Sequence, residues 1–165
     1  MATPERESTM YRLYLDASVI GGKFDAGFDK DTNALLDAIR AGEFSALISD
    51  TLVAEIADAP ERVRETLASL EEGEVEHLPV TDEALLLRDA YLAAGVVTGK
   101  ARNDALHVAQ ATVARADVIV SWNFKHLVNP VRIRQFNGVN VGKGYGMLVI
   151  MTPTDVIRLI KEADL

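Results

Sequence analysis

Short apolar runs alternate with longer amphipathic segments along the chain. Five short runs are predicted to be strands: Tyr11–Leu15, which has the composition of a buried strand, and Phe44–Ile48, Val75–Leu78, Val118–Val120 and Met147–Met151. Most of the segments between them repeat apolar residues at helical spacing. Strands that alternate with helices are typical of a parallel sheet with helices on both faces. We therefore predict an α/β fold, with a five-stranded parallel sheet as the middle of three α/β/α layers.

Capping residues mark where most of the predicted helices begin. Candidate N-caps stand at Asp31, at Ser49 or Asp50, at Thr81 and at Thr152. Residues 124–146 are less regular and contain Pro130 and several glycines. We assign no regular element to them.

The length and the first residues indicate the domain organisation. At 165 residues the chain is most simply one domain, with enough length for an apolar core. Residues 1–9 are polar and lack the apolar centre of a signal peptide. We expect them to be a disordered N-terminal extension, with the domain over residues 10–165, and Met10 is a candidate for the native start.

The composition excludes several classes of protein. Hydrophobic residues make up 48% of the chain and charged residues 25%, which is typical of a globular domain. Cysteine is absent, so the chain has neither disulfides nor thiolate metal ligands. No segment is apolar over the length that a membrane span requires. We therefore expect a cytoplasmic protein without membrane association.

The charge of the chain is unevenly distributed. The net charge is −8, which by itself argues against a nucleic-acid partner. Residues 1–97 carry 8 basic and 20 acidic side chains, whereas residues 98–165 carry 9 basic and 5 acidic ones. A local basic surface can hold phosphates whatever the overall sign. A solvated surface with uneven charge explains the same distribution.

Four polar residues stand where the chain leaves or approaches one edge of the predicted sheet: Asp16, Glu55, Asp104 and Asn123. Asp16 directly follows a strand, and Asn123 ends the β-like run that begins at Val118. Parallel sheets bind ligands beyond the carboxyl ends of their strands. Carboxylates gathered from distant segments repel one another unless a cation neutralises them. Mg²⁺ and Mn²⁺ take oxygen ligands of this kind. The pattern predicts metal-dependent phosphodiester chemistry.

Four segments around these residues match the motif order of a known family: Leu15–Ser18, Ser49–Ile56, Asn103–Ala109 and Val118–Asn123. They resemble the PIN domain, most closely the toxin ribonucleases of the VapC type, and the resemblance extends over residues 10–157. Each segment alone is a weak signal. Their common order, spacing and position on the predicted strands make the resemblance specific, and it implies a PIN-like form of the three-layer fold.

The resemblance also implies a function and a site. The family cleaves RNA as metal-dependent endoribonucleases with one or two Mg²⁺ or Mn²⁺ ions, and Asp16, Glu55 and Asp104 would be the metal ligands. Asn123 would complete the catalytic set. The toxin of a type II toxin–antitoxin pair is blocked by its cognate antitoxin and is commonly a homodimer. RNA, an antitoxin and a second copy of the chain are therefore the expected partners.

The chain departs from the family pattern at Asn123. Many members have an aspartate there, two residues after the position of Ser121, and an amide brings no charge to a metal. The alternative function is therefore a catalytically weak or inactive PIN domain that binds RNA or a protein. Asn123 also has a structural alternative, in which its side chain satisfies backbone groups of a turn. Ser121 either orients its neighbours or closes a turn.

Several further residues are candidates for contacts with the substrate: Lys100, Arg102, Ser121, Lys125 and His126. The basic residues lie close in sequence to the motif acids and could hold phosphates. Ordinary surface positions explain the lysines equally well, and His126 is balanced between a phosphate contact and a structural role.

Other residues near the motifs favour structural interpretations. His107 lies one helical turn after Asp104, and we interpret it as a packed or hydrogen-bonded histidine. Trp122 and Phe124 flank Asn123 and could stack on a base. Strand alternation favours packing of both rings on one face of the sheet.

Two other classes also place acids at strand ends. A response-regulator domain needs a phosphoaccepting aspartate after a central strand, and the only predicted strand that ends in aspartate is the one before Asp16. A haloacid-type phosphatase needs a second aspartate two residues after the nucleophile, where this chain has Ser18. Both classes fit less well than a metal-dependent ribonuclease.

Overall fold

The computed structural model describes residues 10–73 and 75–163. Its five strands are β1 (Arg12–Leu15), β2 (Ser45–Ser49), β3 (Val75–Leu78), β4 (Val118–Val120) and β5 (Val149–Met151). All neighbouring strands pair in parallel in the order β3-β2-β1-β4-β5, so β1 is central. The predicted five-stranded parallel sheet is confirmed. The predicted N-terminal extension, residues 1–9, lies outside the described residues.

Eight α-helices are found in these described ranges: α1 (Ala17–Gly22), α2 (Asp29–Arg40), α3 (Asp50–Ile56), α4 (Glu61–Leu70), α5 (Asp82–Ala93), α6 (Arg102–Val113), α7 (Pro130–Gly142) and α8 (Pro153–Ala163). A short 3₁₀ turn, Gly99–Ala101, precedes α6. No helix within the described residues is long and apolar enough to cross a membrane.

The helices cover both faces of the sheet, which confirms the three predicted layers. Side chains alternate between the faces along a strand. Leu13 and Leu15 of β1 join an apolar cluster with α1, α2, α3, α4 and α8. Tyr14 joins the other cluster, with α5, α6 and α7. The central strand is therefore buried from both sides.

Three of the predicted helix caps are confirmed. The Ser49 hydroxyl accepts from the Leu52 N–H at 3.0 Å, and the Thr81 hydroxyl accepts from the Ala84 N–H at 3.1 Å. At the start of α8, Thr152 accepts from the backbone N–H of Asp155, and the Asp155 carboxylate accepts from the backbone N–H of Thr152. This reciprocal pair is a capping box.

The prediction that Asp31 caps a helix is wrong. Helix α2 begins earlier, at Asp29, and Phe28 occupies the N-cap position without a side-chain cap. The Asp31 carboxylate accepts a hydrogen bond of 2.6 Å from the Thr154 hydroxyl instead. Asp31 therefore links α2 to the start of α8.

Helix α7 lies inside the segment to which the sequence analysis assigned no regular element. Its N-cap is Asn129, whose side-chain oxygen accepts from the backbone N–H groups of Val131 and Arg132, and Pro130 follows in the first turn. The fully buried residues of α7 are Phe136, Asn137 and Asn140. Because two of these three are polar, the helix has no apolar stripe that periodicity could detect.

The strand register fixes the position of the site. Leu15 of β1 pairs with Val120 of β4, so Asp16 and Ser121 leave adjacent strands at the same level. All strands are parallel, and their carboxyl ends therefore form one edge of the sheet. We call this the carboxyl edge.

Candidate active site at the carboxyl edge of the sheet

Asp16 is a buried carboxylate held by two hydroxyl groups. Its side chain is at the N-cap position of α1 but makes no cap hydrogen bond. One carboxylate oxygen accepts from the Ser18 hydroxyl and the other from the Ser121 hydroxyl, both at 2.6 Å. Only 4% of Asp16 is exposed. The short helix α1, which sequence analysis missed, positions Ser18 for this contact.

The surroundings of Asp16 disfavour its charged form. Burial raises the pKa of Asp16, and the hydrogen bonds from Ser121 and Ser18 offset only part of that effect. A nearby cation favours the charged form of a carboxylate. A cation beside Asp16 would therefore favour its charged form against the effect of burial.

Ser121 and Asn123 form the turn that follows β4. The Ser121 hydroxyl donates to Asp16 and accepts from the Asn123 backbone N–H at 2.9 Å. The side-chain oxygen of Asn123 accepts from the backbone N–H of His126 at 3.0 Å. Ser121 is fully buried, which favours its role in orienting Asp16 over direct contact with a substrate. Asn123 uses its amide oxygen within the turn.

Glu55 is held in place by a buried histidine. Helix α3 presents Glu55 at the edge, and its carboxylate lies 2.6 Å from Nε2 of His107 on α6. The other ring nitrogen of His107, Nδ1, lies 2.6 Å from the Tyr14 hydroxyl. Because a carboxylate only accepts, Nε2 carries the hydrogen of the contact with Glu55.

This Tyr14–His107–Glu55 chain runs from the core to the surface. Tyr14 and His107 are 0% and 1% exposed, whereas the Glu55 side chain is 26% exposed. Burial raises the pKa of the Tyr14 hydroxyl, so it stays a neutral donor. Sequence analysis assigned no site role to Tyr14 or His107. The available signal was the hydroxyl of Tyr14 within an apolar strand, because a buried tyrosine hydroxyl usually needs a partner.

Asp104 is paired with the second candidate histidine. It lies in the first turn of α6, where its charge is favourable for the helix dipole. One carboxylate oxygen lies 2.9 Å from Nδ1 of His126. The two side chains are 23% and 25% exposed, so this pair faces solvent.

These residues form two hydrogen-bonded sets along the carboxyl edge, which meet where Asn103 and Asp104 are adjacent in the chain. Asp16 is linked to Asp104 through Ser121, Asn123 and His126. Beside Asp104 in sequence, the Asn103 amide lies 3.5 Å from Glu55. We call the whole set the edge network: Tyr14, Asp16, Ser18, Glu55, Asn103, Asp104, His107, Ser121, Asn123 and His126.

The edge network contains oxygen ligands of the kind that a divalent metal needs. In this structure these oxygens do not surround a single point. Asp16, Glu55 and Asp104 supply three carboxylates, which suit Mg²⁺ or Mn²⁺. In this conformation Glu55 and Asp104 each face a histidine. Across residues 10–73 and 75–163, no group of three or more histidine, aspartate and glutamate side chains is arranged to hold a metal. The donor chemistry fits, provided that both carboxylates turn away from their histidines.

The predicted phosphate-binding residues lie on the surface around this edge. Lys100, Arg102 and Lys125 are all exposed. The Arg102 guanidinium lies 3.9 Å from the Asp89 carboxylate. A shallow depression of about 490 Å³ is lined by Glu55 and other residues of α3 and α6. The substrate contacts assigned to these residues and to His126 remain predictions.

The fold is similar to that of a chain in the crystal structure of VapBC2 from Rickettsia felis bound to a DNA fragment from their promoter. The two chains are 14% identical, the match covers 86% of this chain and 98% of that chain, and the TM-score is 0.55. At this identity the likeness shows the fold alone, which agrees with the predicted PIN-like architecture. No family model matches the sequence, and no curated protein matches it.

Proposed function

We propose that the protein is a metal-dependent endoribonuclease that hydrolyses RNA phosphodiester bonds. The observation that carries the proposal is the buried carboxylate of Asp16 at the carboxyl edge, which is linked through the residues Ser121, Asn123 and His126 to the solvent-facing carboxylate of Asp104. A buried charge is costly unless it has a partner. A divalent cation would supply the positive charge that these carboxylates lack, and it would in turn attract an oxygen of the RNA phosphate.

The residues of the edge network take distinct roles in this proposal. Asp16, Glu55 and Asp104 hold Mg²⁺ or Mn²⁺, which when bound activates water and stabilises the charge that develops on phosphate. Ser121 orients Asp16 through its hydroxyl. Asn123 completes the catalytic set by fixing the turn that carries His126. The exposed Lys100, Arg102 and Lys125, with His126, hold the RNA phosphates.

We further propose that the protein is the toxin of a type II toxin–antitoxin pair. The support is the similarity of its fold to a chain of the VapBC2 complex. A cognate antitoxin would then cover the carboxyl edge and block access to Asp16. A homodimer is the proposed assembly. Co-purification of the chain with the product of a neighbouring gene tests the pairing.

Cleavage of RNA tests the proposed function. Purified protein is incubated with a panel of cellular RNAs, including tRNA, in Mn²⁺ or Mg²⁺ and in parallel with EDTA. We expect metal-dependent cleavage of at least one RNA. The Asp104→Asn variant, prepared identically, controls for contaminating nucleases and should lack that cleavage. Equal cleavage by Asp104→Asn or in EDTA contradicts the proposal.

A second candidate function is a PIN-like module that binds RNA or protein without cleaving. The observation that favours it is the use of the Asn123 amide oxygen by the His126 backbone N–H, which is a structural contact. This alternative predicts retention of RNA in a gel without metal-dependent turnover. It also predicts that Asn123→Asp gains no cleavage.

A further inference from the structure

Three aromatic rings form a group beside the edge network. Trp122 is 8% exposed, and its indole N–H donates to the Thr32 hydroxyl at 2.9 Å. Phe28 stacks on Trp122 with ring centroids 4.3 Å apart and an interplanar angle of 16°. The ring of Phe124 lies 6.4 Å from each of the other two and is 51% exposed. We call Phe28, Trp122 and Phe124 the aromatic group.

The surrounding backbone holds the aromatic group in place. Trp122 packs so closely on α1 that a Cβ added at Gly22 would lie 2.7 Å from its indole nitrogen. Phe124 lies on a turn in which the Asn123 carbonyl accepts from the N–H groups of Leu127 and Val128. The exposed ring is therefore presented on a fixed turn with two further rings behind it.

The aromatic group is continuous with the edge network. The backbone N–H of Trp122 donates to the Ser18 hydroxyl at 2.9 Å, and that hydroxyl donates to Asp16. Phe124 directly follows Asn123 in the chain. The exposed ring of Phe124 is thus connected to the buried Asp16 carboxylate through Asn123 and Trp122 of the chain and through the Ser18 hydroxyl.

Charges around the group favour one path for a nucleic-acid strand. Lys125 is exposed next to Phe124, and no acidic residue adjoins it in sequence. The segment that carries Phe28 has exposed charges of both signs, Asp25, Asp29 and Lys30. A phosphate backbone is attracted to Lys125, whereas the charges beside Phe28 largely offset one another. A strand that crosses the Phe124 ring would therefore keep its phosphates on the Lys125 side.

We propose that Phe124, supported by Phe28 and Trp122, stacks on an unpaired base of the RNA strand that reaches Asp16. The proposal rests on the proposed function and adds to it the residue, Phe124, on which a base beside the cleaved bond stacks. Every base has a π-face, so stacking of this kind is tolerant of sequence. A paired base inside a helix has no free face to offer.

Binding measured without metal tests the stacking. The affinity for a short, labelled single-stranded RNA is measured in EDTA. The fluorescence emission of Trp122, which is the 1 tryptophan in the sequence, gives a second readout. Stacking on an aromatic ring is worth about 1–3 kcal/mol per base, so we expect Phe124→Ala to weaken binding on the order of tenfold. The emission change of Trp122 on adding RNA should also be lost.

Matched variants separate stacking from simple apolar contact. Phe124→Leu keeps apolar bulk without a π-face and should bind as weakly as Phe124→Ala, whereas Phe124→Tyr should restore binding. Tyr11→Ala removes a ring that is 61% exposed before β1, at the opposite edge of the sheet, and should bind like the native chain. Equal melting temperatures show that all the variants fold.

The outcomes distinguish this proposal from the proposed function. Base-dependent binding without any cleavage supports the stacking and contradicts the nuclease. Cleavage with the same affinity in native protein and Phe124→Ala overturns the stacking and leaves the nuclease intact. The stacking is also overturned if native protein has no affinity for the RNA. It is overturned as well if Phe124→Ala loses equal affinity for an abasic strand of the same length.

Discussion

Two buried polar networks differ in where their hydrogen bonds end. The edge network runs from Tyr14 and Asp16 at the carboxyl ends of the strands to the carboxylates of Glu55 and Asp104, which are 26% and 23% exposed. A second set, the inner network, lies beside the amino end of β5 and consists of Tyr91, Thr112, Asn137 and Asn140.

The inner network closes on itself. The Tyr91 hydroxyl donates to the side-chain oxygen of Asn140, and the Asn140 amide donates to Thr112 and to Asn137. Asn137 in turn accepts from the Leu148 N–H at 2.7 Å and donates to the Leu148 carbonyl at 2.9 Å. These contacts connect neutral groups only, and they anchor the start of β5.

The comparison shows that burial of polar groups does not by itself mark a functional site. Both networks contain a fully buried tyrosine hydroxyl, Tyr14 in one and Tyr91 in the other. Only the edge network contains carboxylates, and its two open ends face solvent. A closed neutral network stabilises the fold, whereas carboxylates with open ends can accept a cation and a substrate.

The largest effect is expected for Glu55→Gln. Replacing a residue that only supports a metal ligand lowers metal affinity or activity by about 10- to 100-fold. Loss of a ligand itself should therefore reduce cleavage by about 100-fold or more. Stability should change by less than about 1 kcal/mol because the side chain is partly exposed. Cleavage rates and chemical denaturation measure the two effects. Glu83→Gln is the matched control, because Glu83 also accepts a hydrogen bond, from the Tyr145 hydroxyl, but lies outside the edge network.

Asn137→Ala should lower stability and leave cleavage unchanged, which is the opposite of Glu55→Gln. It leaves the buried N–H and carbonyl of Leu148 without partners, which we expect to lower the free energy of unfolding by about 2 kcal/mol. In a domain of this size each 1 kcal/mol shifts the melting temperature by about 2–4 °C. The rate of cleavage per folded molecule should stay at the native value. A loss of cleavage in fully folded Asn137→Ala would remove the distinction between the networks.

The same substitution in each network sharpens the comparison. Tyr14→Phe removes the donor to His107 and loosens the hold on Glu55, so we expect cleavage to fall about tenfold, at the lower end of the range for supporting residues. Tyr91→Phe removes the hydrogen bond to Asn140 and the 3.4 Å contact with the Thr112 hydroxyl, and it should cost about 1 kcal/mol of stability with no change in cleavage. Thermal melting and cleavage kinetics are measured on both variants. Equal cleavage by the two variants would contradict a positioning role for His107.

The smallest effect is a pH-dependent gain in stability in Asp16→Asn. Burial raises the pKa of Asp16, so the folded state binds its proton more tightly than the unfolded state does. Stability contributed by this group is present at low pH, falls as pH rises above the ordinary aspartate value of about 3.9, and is lost above the folded pKa.

The Asp16→Asn variant has no carboxyl group at this position, so it does not lose stability in this way as pH rises. In metal-free buffer at pH 7 we expect it to be more stable than the native chain by on the order of 1 kcal/mol, the size typical of single substitutions. The difference should shrink as pH falls toward 4. Denaturation curves across this range measure it, and a constant difference would show that Asp16 does not titrate with folding.

Much of the fold follows from local sequence patterns. Val75–Leu78 and Val118–Val120 are strands with the bounds that their apolar runs predict. Helix α1 was missed because it has only six residues and ends in two glycines. Helix α7 was missed because asparagines occupy its buried face, although Asn129 followed by Pro130 is a strong helix-start signal.

The partners within the site follow from tertiary contacts that no local pattern records. Sequence position predicts that Asp16 and Asn123 lie at one edge, because both come just after strands. The pairing of Glu55 with His107 joins residues 52 positions apart, and that of Asp104 with His126 joins residues 22 positions apart. Their meeting depends on how α3, α6 and the turn after β4 pack on the sheet. The metal-binding roles of these acids remain predictions.

The most direct test of the account is the rate of Mn²⁺-dependent RNA cleavage by native protein and by Asp16→Asn, compared at equal concentrations of folded protein. Asn137→Ala serves as a variant that is less stable but keeps the edge network. We predict that Asp16→Asn, although more stable than the native chain in metal-free buffer, loses about 100-fold or more of the rate, and that Asn137→Ala keeps it. Cleavage by Asp16→Asn at the native rate would contradict the assignment of the carboxyl edge as the active site.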